Sequence, residues 1–177
     1  MTRPHLTCEG AQGRITLGNV FEVSEIPFEY FDVVYSLGFI EHFQDTAIVV
    51  KRLSRYARTG GIIITLIPNL QGLVGWLHRT VDPDLYRKHV VIDSSMLDAI
   101  HSESGLKVVL PANYFGTFCL TVVNFNRLRS HLPPVLDSLI WRGIKLLQEL
   151  VVVPFRLVRV TPETRLFSPY VVGVYER

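Results

Sequence analysis

The sequence predicts an open α/β sheet of the doubly wound, Rossmann-like kind, and three observations carry that expectation. Phe31-Asp32-Val33-Val34-Tyr35-Ser36-Leu37 is an apolar, β-branched run of strand length, and Gly38 closes it. Residues 41–58 place apolar side chains at Ile48, Val49, Leu53 and Tyr56 or Ala57, with Lys51, Arg52 and Arg55 between them, as in a surface helix that buries one side. Thr59-Gly60-Gly61 then stops that helix, and residues 62–67 form a second buried strand closed by Pro68-Asn69. Strand, helix, strand in this order is a right-handed crossover, and the first strand is expected to be central, covered on both faces.

The remaining elements follow in order. Residues 1–12 are polar without a clear period and read as an irregular lead-in. Ile15, Leu17 and Val20 suggest a short strand ending in Gly18-Asn19-Val20-Phe21, where a glycine and an asparagine turn the backbone towards a ligand. Residues 70–93 are glycine- and aromatic-rich and read as a functional loop or a lid with short helices. Ser94 or Ser95 caps a helix from Met96 to about Glu103, which Gly105 ends. Residues 107–110 and 170–175 supply the last two strands. Between them lies an insertion, about residues 117–166. Residues 135–152 of it set Ser138, Arg142, Lys145 and Glu149 on one stripe and Leu136, Leu139, Ile140, Ile144, Leu147 and Val151 on another, an amphipathic helix that Pro154 ends or kinks.

Length and composition bound the function. A chain of 177 residues suits one domain with a real core. A formal charge of +2, with the basic residues dispersed, argues against a nucleic-acid surface. Cys8 and Cys119 show neither metal-ligand spacing nor a disulfide framework, in keeping with a reducing compartment. There is no apolar leader, and no run reaches the roughly 18 apolar residues of a membrane span, so a cytoplasmic protein is expected.

The motifs Phe39-Ile40-Glu41-His42, Thr59-Gly60-Gly61 and Pro68-Asn69, spaced as they are, resemble the second half of class I S-adenosylmethionine-dependent methyltransferases of the ubiquinone-methyltransferase-like type. The resemblance covers about residues 14–116 and resumes at Ser168. It implies S-adenosyl-L-methionine as cofactor. Gly18, Asn19 and Val20 stand where the family reads the adenine ring; Asn19 replaces the usual aspartate, and a plain turn asparagine is the other reading. Ser36, Leu37 and Gly38 stand at the strand end that lies against the methionine moiety, where a small residue lets the backbone approach; Gly38 as a simple strand terminator is the alternative.

Glu41 matches the glutamate of the Ile-Glu-His signature and is expected to open the helix, where the dipole also favours it. His42 beside it could orient cofactor or act as a base. In the ubiquinone-pathway enzymes an acidic residue three positions earlier completes a metal site; Gly38 stands there, a Glu-His pair is too few ligands, and no divalent metal is expected. Glu41, Pro68, Asn69, Trp76 and Tyr86, with His78, are candidates for the acceptor side. His89 either takes a proton from an acceptor hydroxyl or caps the lid through a hydrogen bond.

The family's glycine-rich loop and ribose-binding acidic residue have no counterpart here, and Gly10-Ala11-Gln12-Gly13 follows no strand pattern. Three accounts fit: an N-terminally truncated fragment, which is favoured, a partner chain that completes the sheet, or lost catalysis. The expected function is methyl transfer to a small-molecule or lipid-like acceptor, impaired in this chain. The alternative is a non-catalytic module whose amphipathic insertion, with Arg127, Arg129, Arg142, Lys145, Arg156 and Arg159 beside Trp141, contacts a membrane surface or partner protein. Against that stands a helix that packs on its own sheet or lids an apolar substrate. A nicotinamide-dependent oxidoreductase would share the fold class but not explain the motifs.

Overall fold

A computed structural model describes residues 5–8, 11–23, 25–129 and 132–177. The chain opens with an antiparallel hairpin, β1 (His5–Cys8) and β2 (Ala11–Arg14), where an irregular lead-in was expected. Residues 15–17, expected as a strand, have no regular structure; Gly10, the first glycine of the Gly-bearing stretch, lies outside the described residues.

β3 (Phe31–Leu37) and β4 (Ala57–Pro68) are parallel, in register from Val33↔Ile62 to Leu37↔Leu66. The connecting helix, α1 (Thr46–Ser54), is shorter than its apolar period suggested. Glu41 does not open it: residues Ile40–His42 form a separate 3-10 turn, and α1 starts four residues after His42. Gly60-Gly61 does not stop the helix either. The pair lies inside β4 at an irregularity in register, Phe31 pairing with Ala57 but Val33 with Ile62. Gly60 has φ +72°, and a Cβ on Gly61 would stand 2.8 Å from the Arg58 carbonyl oxygen, so the signal was a strand bulge.

α2 (Leu73–Val81) and α3 (Pro83–Tyr86) fill the expected lid segment. α4 (Ser94–Glu103) is capped by Asp93, whose carboxylate accepts from the Met96 amide at 2.8 Å, rather than by Ser94 or Ser95. Gly105, at φ +86°, follows it as predicted. β5 (Lys107–Phe115) runs five residues beyond the expected strand, and the insertion carries α5 (Asn126–Arg129) and α6 (Pro134–Leu157) before β6 (Tyr170–Glu176). β6 is antiparallel to both neighbours, giving the sheet order β3-β4-β6-β5.

One face of this sheet is packed. Ile63, Ile67, Val171 and Tyr175 meet Val49, Val50 and Leu53 of α1 and Leu97 of α4, a contiguous apolar cluster. The expectation that β3 is central and covered on both faces does not hold. It is the sheet edge, and its other face is open, with Tyr35 68% and Leu37 59% exposed. Apolar composition alone cannot tell a strand buried on both faces from an edge strand.

α6 continues three residues past Pro154, and among its residues only Val152 is buried. With Ile144 and Val151 it rests on a second cluster of Val74, Phe118, Leu120 and Val123. Leu139, Leu146, Leu150 and Leu157 face solvent. The side chain of Arg127 lies outside the described ones.

Candidate active site

Register brings the ends of all four strands of the sheet to one rim. Leu37 pairs with Leu66, Pro68 with Tyr170, and Tyr170 with Phe115. Gly38 follows at φ +59°, its amide donating to the Leu66 carbonyl at 2.9 Å. That left-handed turn lifts the chain off the sheet into the 3-10 turn carrying Glu41 and His42.

The far wall comes from the lid. The Val90 amide donates to the Glu41 carbonyl at 2.7 Å, which docks the segment after α3 onto the 3-10 turn. His89 therefore meets His42, their ring centroids 4.4 Å apart. His89 Nδ1 lies 2.7 Å from the Leu85 carbonyl, which can only accept, so Nδ1 carries the proton and Nε2 the lone pair. The Nδ1–H bond closes the turn that follows α3.

These walls enclose a cavity of about 600 Å³. Leu37, Gly38, Glu41, His42 and Pro68 line it from the sheet side, and Tyr86, His78 and His89 from the lid. Phe115 and Tyr170, brought together by the pairing of β5 and β6, complete with Val122 of the insertion an apolar wall that the motifs did not announce. Trp76 does not reach it: it sits 60% exposed on α2. Asn69 is at the rim, but structurally engaged. Its amide nitrogen donates to the Arg165 and Ser168 carbonyls, each at 2.8 Å, and its oxygen accepts from the Gln71 and Gly72 amides at 3.2 and 3.3 Å. All four bonding positions of the side chain are used in fastening the end of the insertion to the sheet, leaving none for a ligand.

A smaller cavity of about 250 Å³ lies on the other side of the Leu37-Gly38 step, lined by Val20, Tyr35, Ser36, Leu37, Phe39 and Leu53. Ser36 Oγ is buried there without a hydrogen-bond partner. Gly18 and Asn19 line neither cavity. Asn19 caps its own turn, accepting from the Phe21 amide at 3.1 Å and donating to Glu22 at 2.9 Å, and a Cβ on Gly18 would meet Val23 at 2.7 Å. Their part in this structure is to shape the turn that presents Val20.

Electrostatically the larger cavity holds one unusual group. Glu41 is only 2% exposed, its Oε2 has no partner, and burial raises its carboxyl above the ordinary range. Oε1 lies 4.0 Å from His42 Nε2. Burial lowers the pKa of His78 across the cavity, with the neighbouring His89 acting in the same direction. The sequence supplied two candidate metal ligands; the fold adds a third, since Glu41, His42 and His89 each bring a donor atom within 4.8 Å of the other two.

Residues 6–65 match a family model described as a methyltransferase domain. Among solved structures, an S-adenosylmethionine-dependent methyltransferase from Archaeoglobus fulgidus superposes with a TM-score of 0.54 at 16% identity, covering 96% of this chain and 70% of its own. A second from Thermotoga maritima gives 0.54 at 14%, covering 90% and 61%. Phosphoethanolamine N-methyltransferase 2 of Haemonchus contortus, in complex with S-adenosyl-L-methionine, gives 0.53 at 13%, covering 90% and 36%. The fold is that of the S-adenosylmethionine-dependent methyltransferases. No curated protein sequence matches the chain significantly. On this methyltransferase fold the paired cavities flank the carboxyl end of β3, the rim at which open α/β sheets take their ligands. No helix of the described residues is long and apolar enough to cross a membrane.

Proposed function

We propose that the chain takes part in S-adenosylmethionine-dependent methyl transfer to a small-molecule or lipid-like acceptor. The observation that carries this reading is Gly38, a left-handed glycine that separates a small cavity with an orphaned hydroxyl from a large apolar cavity with a Glu-His-His cluster. The residues present suit the cofactor: Ser36 Oγ offers an unused hydrogen bond, and Gly38 has no side chain to obstruct the approach of the sulfonium to the rim. Bound there, the cofactor supplies an electrophilic methyl group.

The chain's own residues then do three things. Leu37 and Gly38 hold the reacting groups near each other, which accounts for most of the rate in such a transfer. Leu66, Phe115 and Tyr170 exclude water and favour an apolar acceptor. His89 Nε2, or His42, would take the proton of an acceptor hydroxyl and so raise the nucleophilicity of its oxygen towards the methyl group that the cofactor would supply. This sequence has no glycine-rich loop to wrap the methionine end, so the chain alone binds cofactor weakly, and a partner chain that completes the β3 edge would strengthen it. Saturation-transfer NMR with S-adenosylmethionine tests the reading: a signal lost in Gly38→Val supports it, and no signal at millimolar cofactor removes it.

A second reading is favoured by α6. Its exposed stripe of Leu139, Leu146, Leu150 and Leu157 runs beside Arg142, Lys145 and Arg156, as in helices that lie on anionic membranes. Co-sedimentation with anionic liposomes checks it, and a chain left in the supernatant excludes membrane contact.

A further inference from the structure

We propose that Glu41, His42 and His89 form a binding site for one divalent transition-metal ion of the zinc class, opening into the larger cavity. Three independent features converge on it. The donor atoms of all three side chains lie within 4.8 Å of one another. Tetrahedral zinc with ligands at 2.0–2.2 Å spaces its donors at about 3.3 Å, so the cluster closes by rotations of little more than an ångström per side chain. Glu41 is a buried carboxylate whose Oε1 lies 4.0 Å from His42 Nε2 and whose Oε2 has no partner, an unfavourable state for the group that a coordinated ion would relieve. His89 is already oriented as a ligand, because its Nδ1–H is held by the Leu85 carbonyl and the lone pair of Nε2 is left free.

The donor set decides the class of ion. Two imidazoles and one carboxylate suit zinc and its first-row neighbours, whereas magnesium and calcium select all-oxygen shells. Three protein ligands leave a fourth position, and here it faces the apolar cavity, as in catalytic rather than structural zinc sites. In the role that rests on methyl transfer, that position would hold the acceptor oxygen as its anion, the proton lost to solvent on entry before the cavity closes around it. With the ion bound His42 and His89 would be ligands, and the base role proposed above would belong to the metal-free chain.

The test is calorimetric titration of Zn²⁺ into the metal-stripped full chain, with Co²⁺ as a spectroscopic substitute. Expected are one equivalent bound at micromolar affinity or tighter, the visible bands of four-coordinate cobalt, and no displacement by millimolar Mg²⁺. Glu41→Gln, His42→Ala and His89→Ala should each weaken binding at least tenfold while circular dichroism stays unchanged. His42 is 43% exposed, so its variant remains informative should Glu41→Gln fail to fold. Affinity no tighter than millimolar, or zinc binding unaltered in His42→Ala and His89→Ala, overturns the site. Cofactor binding by NMR on the same samples keeps the two proposals apart: zinc without cofactor upholds the ion site and not methyl transfer, and cofactor without zinc does the reverse.

Discussion

The amide of Val90 donates to the carbonyl of Glu41 at 2.7 Å, across 49 positions of sequence, and that bond brings the lid to the rim of the sheet. Neither residue contributes its side chain to the contact, so no motif could announce it. Val90→Pro deletes the donor and confines His89 to the extended conformations that precede a proline. Loss of one well-made internal hydrogen bond lowers stability by about 1 kcal/mol. Urea unfolding should show that loss, and amide exchange should accelerate over α3 while α4 stays protected.

Gly38 is the position where geometry and proposed chemistry meet. At φ +59° any L-residue with a Cβ is strained by about 1–2 kcal/mol, and a Cβ there would stand 3.5 Å from Glu41 Oε1. Gly38→Ala should therefore lower the unfolding free energy by about that amount. Gly38→Val, whose branched side chain also blocks the step between the cavities, should lose cofactor binding altogether. Equal cofactor signals in the wild type and Gly38→Val would mean that the nucleoside does not cross this step.

Asn69 is a clamp. Replacing it with alanine leaves the Gln71 and Gly72 amides and the Arg165 and Ser168 carbonyls short of a partner in a buried place. At about 1–3 kcal/mol for each buried group left unsatisfied, incompletely additive, Asn69→Ala should destabilise by at least 2 kcal/mol. Asn69→Asp should be nearly as harmful, since a carboxylate cannot donate to two carbonyls. Denaturant midpoints of the two variants check this, and similar midpoints for wild type and both would show that the clamp carries no stability.

What was legible in the sequence was local. The strand Phe31–Leu37 and the left-handed turn at Gly38 are set by adjacent residues and were readable, whereas the Glu41-His42 pair, expected to open the helix, sits in a 3-10 turn ahead of it. Positive-φ glycines were readable as turns but not as turns of a given kind: Gly105 does end a helix, while Gly60 sits in a strand bulge because β4 begins earlier than its apolar run. Pairings distant in sequence were not legible. The meeting of His89 with Glu41 depends on one backbone bond, and the roles of Asn69 and Tyr170 depend on where the insertion returns. The apolar period of α6 marked an amphipathic helix, but periodicity does not say which side the protein covers; here Ile144, Val151 and Val152 turn inward and the leucines outward.

His101 went unnoticed in the sequence and dominates the acid response expected of the core. It is fully buried in α4 and stacks on Tyr175 with ring centroids 3.7 Å apart. Its Nδ1 lies 2.8 Å from the Leu97 carbonyl, so Nδ1–H donates there and Nε2 accepts from Thr65 Oγ at 2.9 Å. The neutral ring is satisfied at both nitrogens; protonation would reverse the Thr65 bond, Nε2–H donating to the hydroxyl, and would leave a positive charge buried in the core. Burial pulls its pKa down to about 4, from an ordinary value of 6.5. Asp98, the nearest acid, opposes this weakly, being engaged with the Ala112 amide and the Tyr175 hydroxyl. Between those two pH values the unfolded chain binds the proton that the folded chain refuses, so this contribution is complete above about pH 6.5 and is lost as pH falls towards 4, a change of about 3 kcal/mol. Glu41 works the other way, because burial raises its carboxyl and acid relieves a buried charge. The difference between wild type and His101→Gln isolates the histidine. Guanidinium midpoints at pH 7 and pH 4.5 should fall steeply with acid in the wild type and much less in the variant, and parallel pH profiles would show that the ring is protonated in the folded chain.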